Sequence, residues 1–324
     1  MILFDFFNDK SDELLEKFAH YFSINVNELR YFFITTNYDE ITATLLVKTF
    51  NLDLKQFDSK SLSIMCRHMT TGNELTLNSF KNLGILNLKE MLQQHTPLSD
   101  FLSKRGIFVD VENSIIKVND IEYPIMRNNE ICNYCYIGRE DICLGYTKCK
   151  LFEKISKLAV KLYVYDATVE FFINASISQM KAYSTIDRYP EILETLENIR
   201  IKAKTTLEPE QHLGWEWSDD KKECFLLEFP VCISNMETFA PMCFDEGYRE
   251  IKDCLEFSGY TYSDYNNLNI SQNFFDNYYF INKFISIYFH NSEEYGSLLP
   301  DMSVSPNGMK YYRVTKDDIL INID

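Results

Sequence analysis

The residue pattern of the chain changes near residue 60, and this change limits the fold more than any other feature. Before it, apolar residues such as Leu14, Leu15, Phe18 and Phe22 recur at the spacing of an amphipathic helix. After it, short apolar runs typical of strands alternate with helical stretches. The pattern therefore predicts an α+β protein, with a helical N-terminal region at 1–58 followed by an α+β domain at 59–324.

The first strand and helix of the second region carry clear boundary signals. Ser61–Cys66 is a short apolar run of strand type. Asn73–Leu83 has helical spacing, with Thr71 or Asn73 as its N-cap and Gly84 as its C-terminal stop. The segment therefore predicts a strand followed closely by a helix.

Later strands are predicted from alternation and from apolar runs. Phe108–Val111 and Ile115–Val118 alternate on either side of a turn and predict a hairpin. Tyr163–Ile173 is expected to be a strand interrupted at Asp166-Ala167. Cys224–Phe229 is a dense apolar run, expected to form a buried strand that stops at Pro230. Three more strands are predicted near the C-terminus, at 294–299, 310–314 and 319–323.

Composition and charge exclude several classes of protein. With 46% hydrophobic residues in 324, the chain can bury a substantial core, and disorder is disfavoured. The formal net charge of −16 disfavours general nucleic-acid binding, whereas it would suit a basic partner such as an inhibitor or antitoxin. The first residues lack the basic start of a secretory signal, and Phe280–Phe289 is too short to cross a membrane. We therefore expect a soluble cytoplasmic protein with no membrane partner.

Four of the nine cysteines form a cluster with the composition of a metal site. Cys132 and Cys135 form a C-x-x-C knuckle, and Cys143 and Cys149 follow within the same short segment. Four thiolates complete a closed tetrahedron, which is the usual form of a structural zinc site. An iron–sulfur cluster and unliganded thiols are the alternatives. If zinc binds, it holds together an insertion at 97–150 and takes no part in catalysis.

A lysine-rich stretch follows the cysteine cluster. Lys150, Lys154, Lys157 and Lys161 recur every three or four residues and would lie along one face of a helix. This face is either a solvated surface or a phosphate-binding ridge. The chain contains no H-E-x-x-H, G-x-x-x-x-G-K-[ST], G-x-G-x-x-G or G-x-S-x-G motif. The sequence therefore gives no support for the enzyme classes that these motifs mark.

Two blocks early in the second region resemble the first NAD-binding block of ADP-ribosyltransferases. The strand-like motif Ser63-Ile64-Met65-Cys66-Arg67-His68-Met69-Thr70-Thr71 contains the His-x-Thr of that family. The motif Phe80-Lys81-Asn82-Leu83-Gly84-Ile85 is similar to the glycine step that follows the next helix. Met69 departs from the family pattern, in which glycine often stands between the histidine and the threonine.

Two later blocks extend the resemblance. Residues 166–173, Asp-Ala-Thr-Val-Glu-Phe-Phe-Ile, are similar to the aromatic strand of DarT-type nucleic-acid ADP-ribosyltransferases, and residues 189–193 resemble the helix that often follows it. Residues 293–300, Glu-Glu-Tyr-Gly-Ser-Leu-Leu-Pro, look like the strand that presents the family's catalytic glutamate. The order of histidine, aromatic and glutamate blocks is that of the family. The resemblance implies a split β core of ADP-ribosyltransferase type within 59–324.

The resemblance also implies a role for each matching residue, with NAD as the substrate. Glu294 would be the catalytic carboxylate, with Glu293 as the alternative. His68 and Thr70 would hold the adenosine-side ribose and the nicotinamide amide, and Arg67 would neutralise the pyrophosphate. The nicotinamide ring would stack on an aromatic side chain, either Phe171 or Phe172.

Two functions follow from these patterns. The first is an ADP-ribosyltransferase of bacterial toxin or antiphage type that modifies a protein or a nucleic-acid end; hydrolysis of NAD without transfer uses the same site and stays open. The second is a non-enzymatic, zinc-stapled interaction or sensor protein. In an enzyme, His68, Thr70, an aromatic from 171–172 and one of Glu293 and Glu294 must line one cleft. In an interaction protein these residues should be scattered, with a flat apolar patch elsewhere.

Overall fold

The protein has an α+β fold in which helices accompany mainly antiparallel sheets. The structure is a computed structural model, and it describes residues 1–125, 155, 157–165, 168–183, 189–203, 212–218, 223–238 and 244–324. The strands are β1 (Ile2–Phe4), β2 (Leu62–Gly72), β3 (Ile107–Asp110), β4 (Ile115–Val118), β5 (Ile121–Pro124), β6 (Glu170–Asn174), β7 (Glu223–Cys232), β8 (Glu294–Ser297), β9 (Lys310–Val314) and β10 (Leu320–Asn322).

The α-helices fall before, between and after these strands. They are α1 (Ser11–Tyr21), α2 (Val26–Thr35), α3 (Ala43–Phe50), α4 (Glu74–Leu83), α5 (Leu88–Gln93), α6 (Pro97–Ser103), α7 (Ile177–Tyr183), α8 (Glu191–Ala203), α9 (Leu213–Ser218), α10 (Phe244–Phe257), α11 (Tyr262–Asn266) and α12 (Gln272–His290). The chain forms two compact units: unit 1 comprises Met1–His68, Glu170–Ile177 and Leu227–Leu299, and unit 2 comprises Met69–Val169, Ser178–Leu226 and Pro300–Asp324.

Unit 1 combines a small sheet with an aromatic core around α12. Neighbouring strands follow the order β7, β2, β6, β8, and β1 pairs in parallel with β2. Phe280 and Phe284 of α12 pack against Phe4 and Phe18, with ring centroids 4.8 Å apart for Phe4–Phe280 and 4.2 Å for Phe18–Phe284. All four side chains are fully buried, so this contact joins β1 and α1 to α12.

A buried amide also ties the N-terminal segment to α12. The side chain of Asn277 donates to the backbone carbonyls of Leu54 (3.1 Å) and Phe57 (2.9 Å), and it accepts a hydrogen bond from the Tyr21 hydroxyl (2.7 Å). Each of these polar atoms is thereby satisfied away from water. Residues 1–58 therefore belong to the same core as α12.

Unit 2 contains a separate apolar core and a three-stranded sheet. The antiparallel order is β3, β4, β5, with Val109 opposite Ile116. Both residues are buried in one cluster with Leu193 and Leu196 of α8. Gly84, at the end of α4, has φ +79°, and a Cβ there would lie 1.8 Å from the carbonyl oxygen of Val304. Only glycine accommodates this approach.

Several local predictions are confirmed. The Asn73 side chain accepts from the backbone N–H groups of Leu75 and Thr76 at the start of α4, and Gly84 ends that helix. The predicted hairpin is β3–β4. The C-terminal strands appear as β8, β9 and β10, with β9 and β10 antiparallel.

Other predictions differ from the structure. The chain starts with β1, because Ile2–Phe4 hydrogen-bonds along β2 instead of forming a helix. Lys161–Tyr165 is a π-helix, so the strand predicted at Tyr163–Ile173 is helical where it was expected to start; β6 covers its end. β7 continues past Pro230 to Cys232; the exposed proline is tolerated because it lies near the end of the strand.

Candidate functional site

The strands that carry the histidine, aromatic and glutamate blocks are adjacent in unit 1. β6 lies between β2 and β8 and is antiparallel to both. In register, Arg67 is opposite Phe172, and Phe172 is opposite Tyr295. Segments that are distant in sequence therefore lie side by side in one sheet, whereas the enzyme interpretation requires their side chains to line one cleft.

Strand alternation sorts the candidate residues onto two faces of this sheet. Along a strand, successive side chains point to opposite faces. We call the side that carries His68, Phe171 and Glu294 the histidine face. A Cβ on Gly296 would lie 2.6 Å from the Phe171 ring, so Gly296 and Phe171 share this face. Glu294 lies two residues before Gly296 and belongs to the same side.

The opposite side of the sheet, which we call the arginine face, carries Arg67, Phe172, Glu293 and Tyr295. The Phe172 and Tyr295 rings contact each other edge-on at a centroid distance of 5.6 Å. The Tyr295 hydroxyl donates to the Glu293 carboxylate at 3.2 Å. Glu293 directly precedes β8, and its carboxylate lies beside Tyr295, whereas the Glu294 side chain is on the side of Gly296.

His68 is held at the seam between β2 and β6. Its Nδ1 lies 3.0 Å from the backbone carbonyl oxygen of Glu170. Because a carbonyl oxygen only accepts, Nδ1 carries the proton of the neutral ring and Nε2 carries the lone pair. Burial lowers the pKa of His68 below its ordinary value of 6.5, and the hydrogen bond to Glu170 opposes that effect. Thr70, half-buried, follows two residues later on β2 and belongs to unit 2.

Glu294 forms an ion pair with Lys283 of α12. The Lys283 ammonium contacts Oε2 of Glu294, whose side chain is only 14% exposed. The ammonium also lies 5.2 Å from the centroid of the Tyr279 ring, one helical turn earlier. Burial raises the pKa of the Tyr279 hydroxyl, and the nearby Glu294 charge raises it further. The carboxylate therefore sits in a largely desolvated place beside one cation.

The two candidate aromatic residues both occupy packed positions. Phe171 is buried against Gly296 and lies edge-on to Phe229 at 6.2 Å. Phe172 is also buried, on the arginine face. Phe171 thus shares the face of Glu294 but forms part of the core, and Phe172 lies on the other side of the sheet.

Arg67 is the counter-ion of a buried carboxylate. Its Nε and Nη2 donate to Oε2 of Glu228 at 3.0 and 2.9 Å, and Glu228 is 2% exposed. The guanidinium also stacks on the Phe7 ring at 4.0 Å. The residue expected to neutralise a pyrophosphate therefore already neutralises Glu228.

Glu228 and Lys283 are the charged residues of this site that the sequence analysis missed. Glu228 interrupts the apolar run Cys224–Phe229, and an acid within a buried strand is itself a signal of a buried cationic partner. Lys283 interrupts the apolar stretch Phe280–Phe289 in the same way. Each charged residue was visible in the sequence as a break in an apolar run, but the residue with which it forms an ion pair was not.

Metal binding is predicted for cysteines that lie outside the described residues, namely Cys132, Cys135, Cys143 and Cys149. Within the described ranges, no group of three or more histidine, cysteine, aspartate or glutamate side chains could hold a metal ion. Cys66, Cys224, Cys232 and Cys254 are free thiols. No described helix has the length and apolar character that crossing a membrane requires.

Comparisons with known proteins find no counterpart: no family model, no curated protein and no solved structure matches the chain.

Proposed function

We propose that the protein is an NAD-dependent ADP-ribosyltransferase. The observation that carries the proposal is the position of His68 and Glu294 on the same face of β2 and β8, with only β6 between them. Since neighbouring strands lie about 4.8 Å apart, the two backbones are separated by roughly 10 Å. A dinucleotide that contacts both side chains has to span this separation, across the strand that carries the buried Phe171.

Cleavage of NAD requires a carboxylate beside the reacting ribose, and Glu294 is the residue proposed for this position. Cleavage of the bond between nicotinamide and ribose develops positive charge on the sugar, as in glycoside cleavage. A fixed carboxylate stabilises that charge and accepts a hydrogen bond from the ribose 2′-hydroxyl. Lys283 fixes Oε2 of Glu294 from the helix side, which limits the rotamers that the carboxylate can adopt.

The neutral form of His68 suits a role in binding. With Nδ1 bound to the Glu170 carbonyl, Nε2 is left as an acceptor for a ribose hydroxyl. In the resemblance, Thr70 contributes to the same task. The proposal gives a structural role to Phe171, Phe172 and Arg67, because all three occupy packed positions. Contacts with the nicotinamide ring and the pyrophosphate are therefore left to other residues.

The modified target is a protein or a nucleic-acid end, in a system of toxin or antiphage type. The net charge of −16 favours a protein target, because an acidic surface repels phosphates. The sequence spacing of the lysines at 150, 154, 157 and 161 favours a nucleic-acid target; Lys150 and Lys154 lie outside the described residues. A labelling experiment with both kinds of acceptor distinguishes them.

The test uses purified full-length protein, labelled NAD and a cell lysate, with two neighbouring variants. We expect label to move onto a macromolecule, and Glu294→Gln to lower the rate by about a hundredfold or more, the usual effect of losing one electrostatic group in a transition state. Glu293→Gln is the matched control, because it makes the same change one residue away on the opposite face, and it should retain activity.

Three other outcomes have definite meanings. Free ADP-ribose without labelled macromolecule would identify an NAD hydrolase with the same site. Equal loss in both variants would show that the face assignment is wrong. No turnover of NAD with lysate and added zinc would contradict the proposal and favour the interaction protein.

A further inference from the structure

Helix α2 has one packed side and one side that no described residue covers. On the packed side, Leu29 is fully buried. The ring centroids are 5.5 Å apart for Phe32 and Phe50, and 4.8 Å apart for Phe33 and Phe289. These contacts hold α2 within unit 1. The opposite side carries side chains that are mostly exposed.

That outer side is nevertheless apolar. Tyr31 is 70% exposed and Ile34 is 82% exposed, and they lie three residues apart, so their side chains are neighbours on one face. Tyr38, 57% exposed, follows in the 3-10 turn Tyr38–Glu40 directly after the helix. We call Tyr31, Ile34 and Tyr38 the α2 patch. Exposed large apolar residues that occur together are typical of interaction sites.

Unpaired acidic residues border the α2 patch. Glu28 lies three residues before Tyr31, and Asp39 and Glu40 follow Tyr38 immediately. All three are exposed, and none forms an ion pair within the part of the chain that the structure describes. The cations nearest in sequence are engaged elsewhere: Lys17 with Asp9, Arg30 with Asp12, and Lys48 with Asp253.

We propose that the α2 patch is a docking site for a basic amphipathic helix of a partner protein. Such a helix offers apolar side chains to Tyr31 and Ile34, and it offers lysine or arginine to Glu28 and Glu40. The acidic border disfavours the other occupants. Anionic lipid and nucleic acid are repelled by it, and a symmetric contact with a second copy would bring two acidic borders together.

The proposal does not depend on NAD chemistry, and its test uses defined probes. The probe is a short fluorescein-labelled helical peptide with leucines along one face and lysines on the others, titrated into the full-length protein and followed by fluorescence anisotropy. Its comparison peptide has glutamate in place of every lysine. We expect the basic peptide to bind and the acidic peptide not to bind.

Two pairs of variants separate the apolar and the charged contributions. Tyr31→Ser with Ile34→Ser should weaken binding of the basic peptide at least tenfold, since buried apolar anchors dominate interface affinity. Glu28→Lys with Glu40→Lys should weaken it similarly. Glu112→Lys with Glu122→Lys makes the same charge change at exposed positions of the β3–β5 sheet and should have little effect.

Contrary results are equally clear. Equal weakening by both charge variants would show attraction to the overall negative charge, which overturns the site. So would unchanged binding in the serine variant, or absence of binding to the basic peptide. Self-association that disappears in Ile34→Ser, measured by sedimentation, would assign the patch to a second copy instead. Because all substituted side chains are exposed, circular dichroism should report intact folding in each variant.

Discussion

Lys283 on α12 and Glu294 on β8 form an ion pair in a largely buried position of unit 1. The pair joins the helix at the centre of the aromatic core to the strand that carries the candidate catalytic carboxylate. A buried carboxylate without a counter-ion is costly, so the pair supports the fold as well as the site. It also gives the proposed function a second residue that can be tested.

Lys283→Met should weaken both stability and NAD turnover. Leaving a partly exposed carboxylate without its partner is expected to cost about 2–3 kcal/mol, somewhat less than for a fully buried pair. Urea denaturation measures the first effect, and labelled NAD measures the second. Lys283→Arg keeps the charge and should recover most of both; loss of turnover in Lys283→Arg at full stability would show that the geometry of the ammonium matters.

The Arg67–Glu228 pair should behave as a structural unit. Arg67→Met leaves Glu228 buried and unpaired, and we expect a loss of about 3–5 kcal/mol in the free energy of unfolding. Arg67→Met with Glu228→Met replaces both charges by apolar groups and should recover much of that loss. Denaturant melts of the two single variants and the double variant form a double-mutant cycle.

The same cycle tests the role expected of Arg67 from the family resemblance. If Arg67 only balances Glu228, the folded double variant should bind NAD as well as the native protein does. A large rise in KM for NAD in the double variant would instead indicate that Arg67 binds the pyrophosphate. Isothermal titration with NAD gives the comparison directly.

Gly296→Ala should destabilise the protein through overpacking. The added Cβ would lie 2.6 Å from the Phe171 ring, which is itself buried against Phe229. Forcing such a contact is expected to cost about 1–3 kcal/mol. Gly308→Ala is a useful comparison, because a Cβ there meets no atom within 4 Å, although its φ of +80° adds backbone strain. A thermal melt that shows Gly296→Ala to be neutral would contradict the packing described for Phe171.

The lowered pKa of His68 predicts a specific dependence of stability on pH. Between its folded pKa and the ordinary value of 6.5, the unfolded state binds more protons at this residue than the folded state. The free energy of unfolding therefore rises with pH through that window. Below the folded pKa, the full cost of protonating the buried ring is present. His68→Gln should flatten the curve of melting temperature at pH values below 6.5. His290→Gln makes the same substitution at an exposed position and is the matched control.

Local patterns were sufficient for the elements whose signals lie within a few residues. Asn73 caps α4 because its side chain reaches backbone N–H groups two and three residues ahead. Gly84 ends that helix because its positive φ suits glycine. The β3–β4 hairpin follows from alternation on either side of a short turn. None of these elements needs information from a distant part of the chain.

The sequence by itself determined the α+β class, these local elements and the three blocks of candidate residues. Only the tertiary structure decided that β6 lies between β2 and β8, and that Glu294 shares a face with His68 while Glu293 does not. It also decided the partners of Arg67 and Glu294, namely Glu228 and Lys283. The physical reason is that caps and turns are satisfied by neighbouring backbone, whereas strand order and buried ion pairs depend on contacts between segments far apart in the chain.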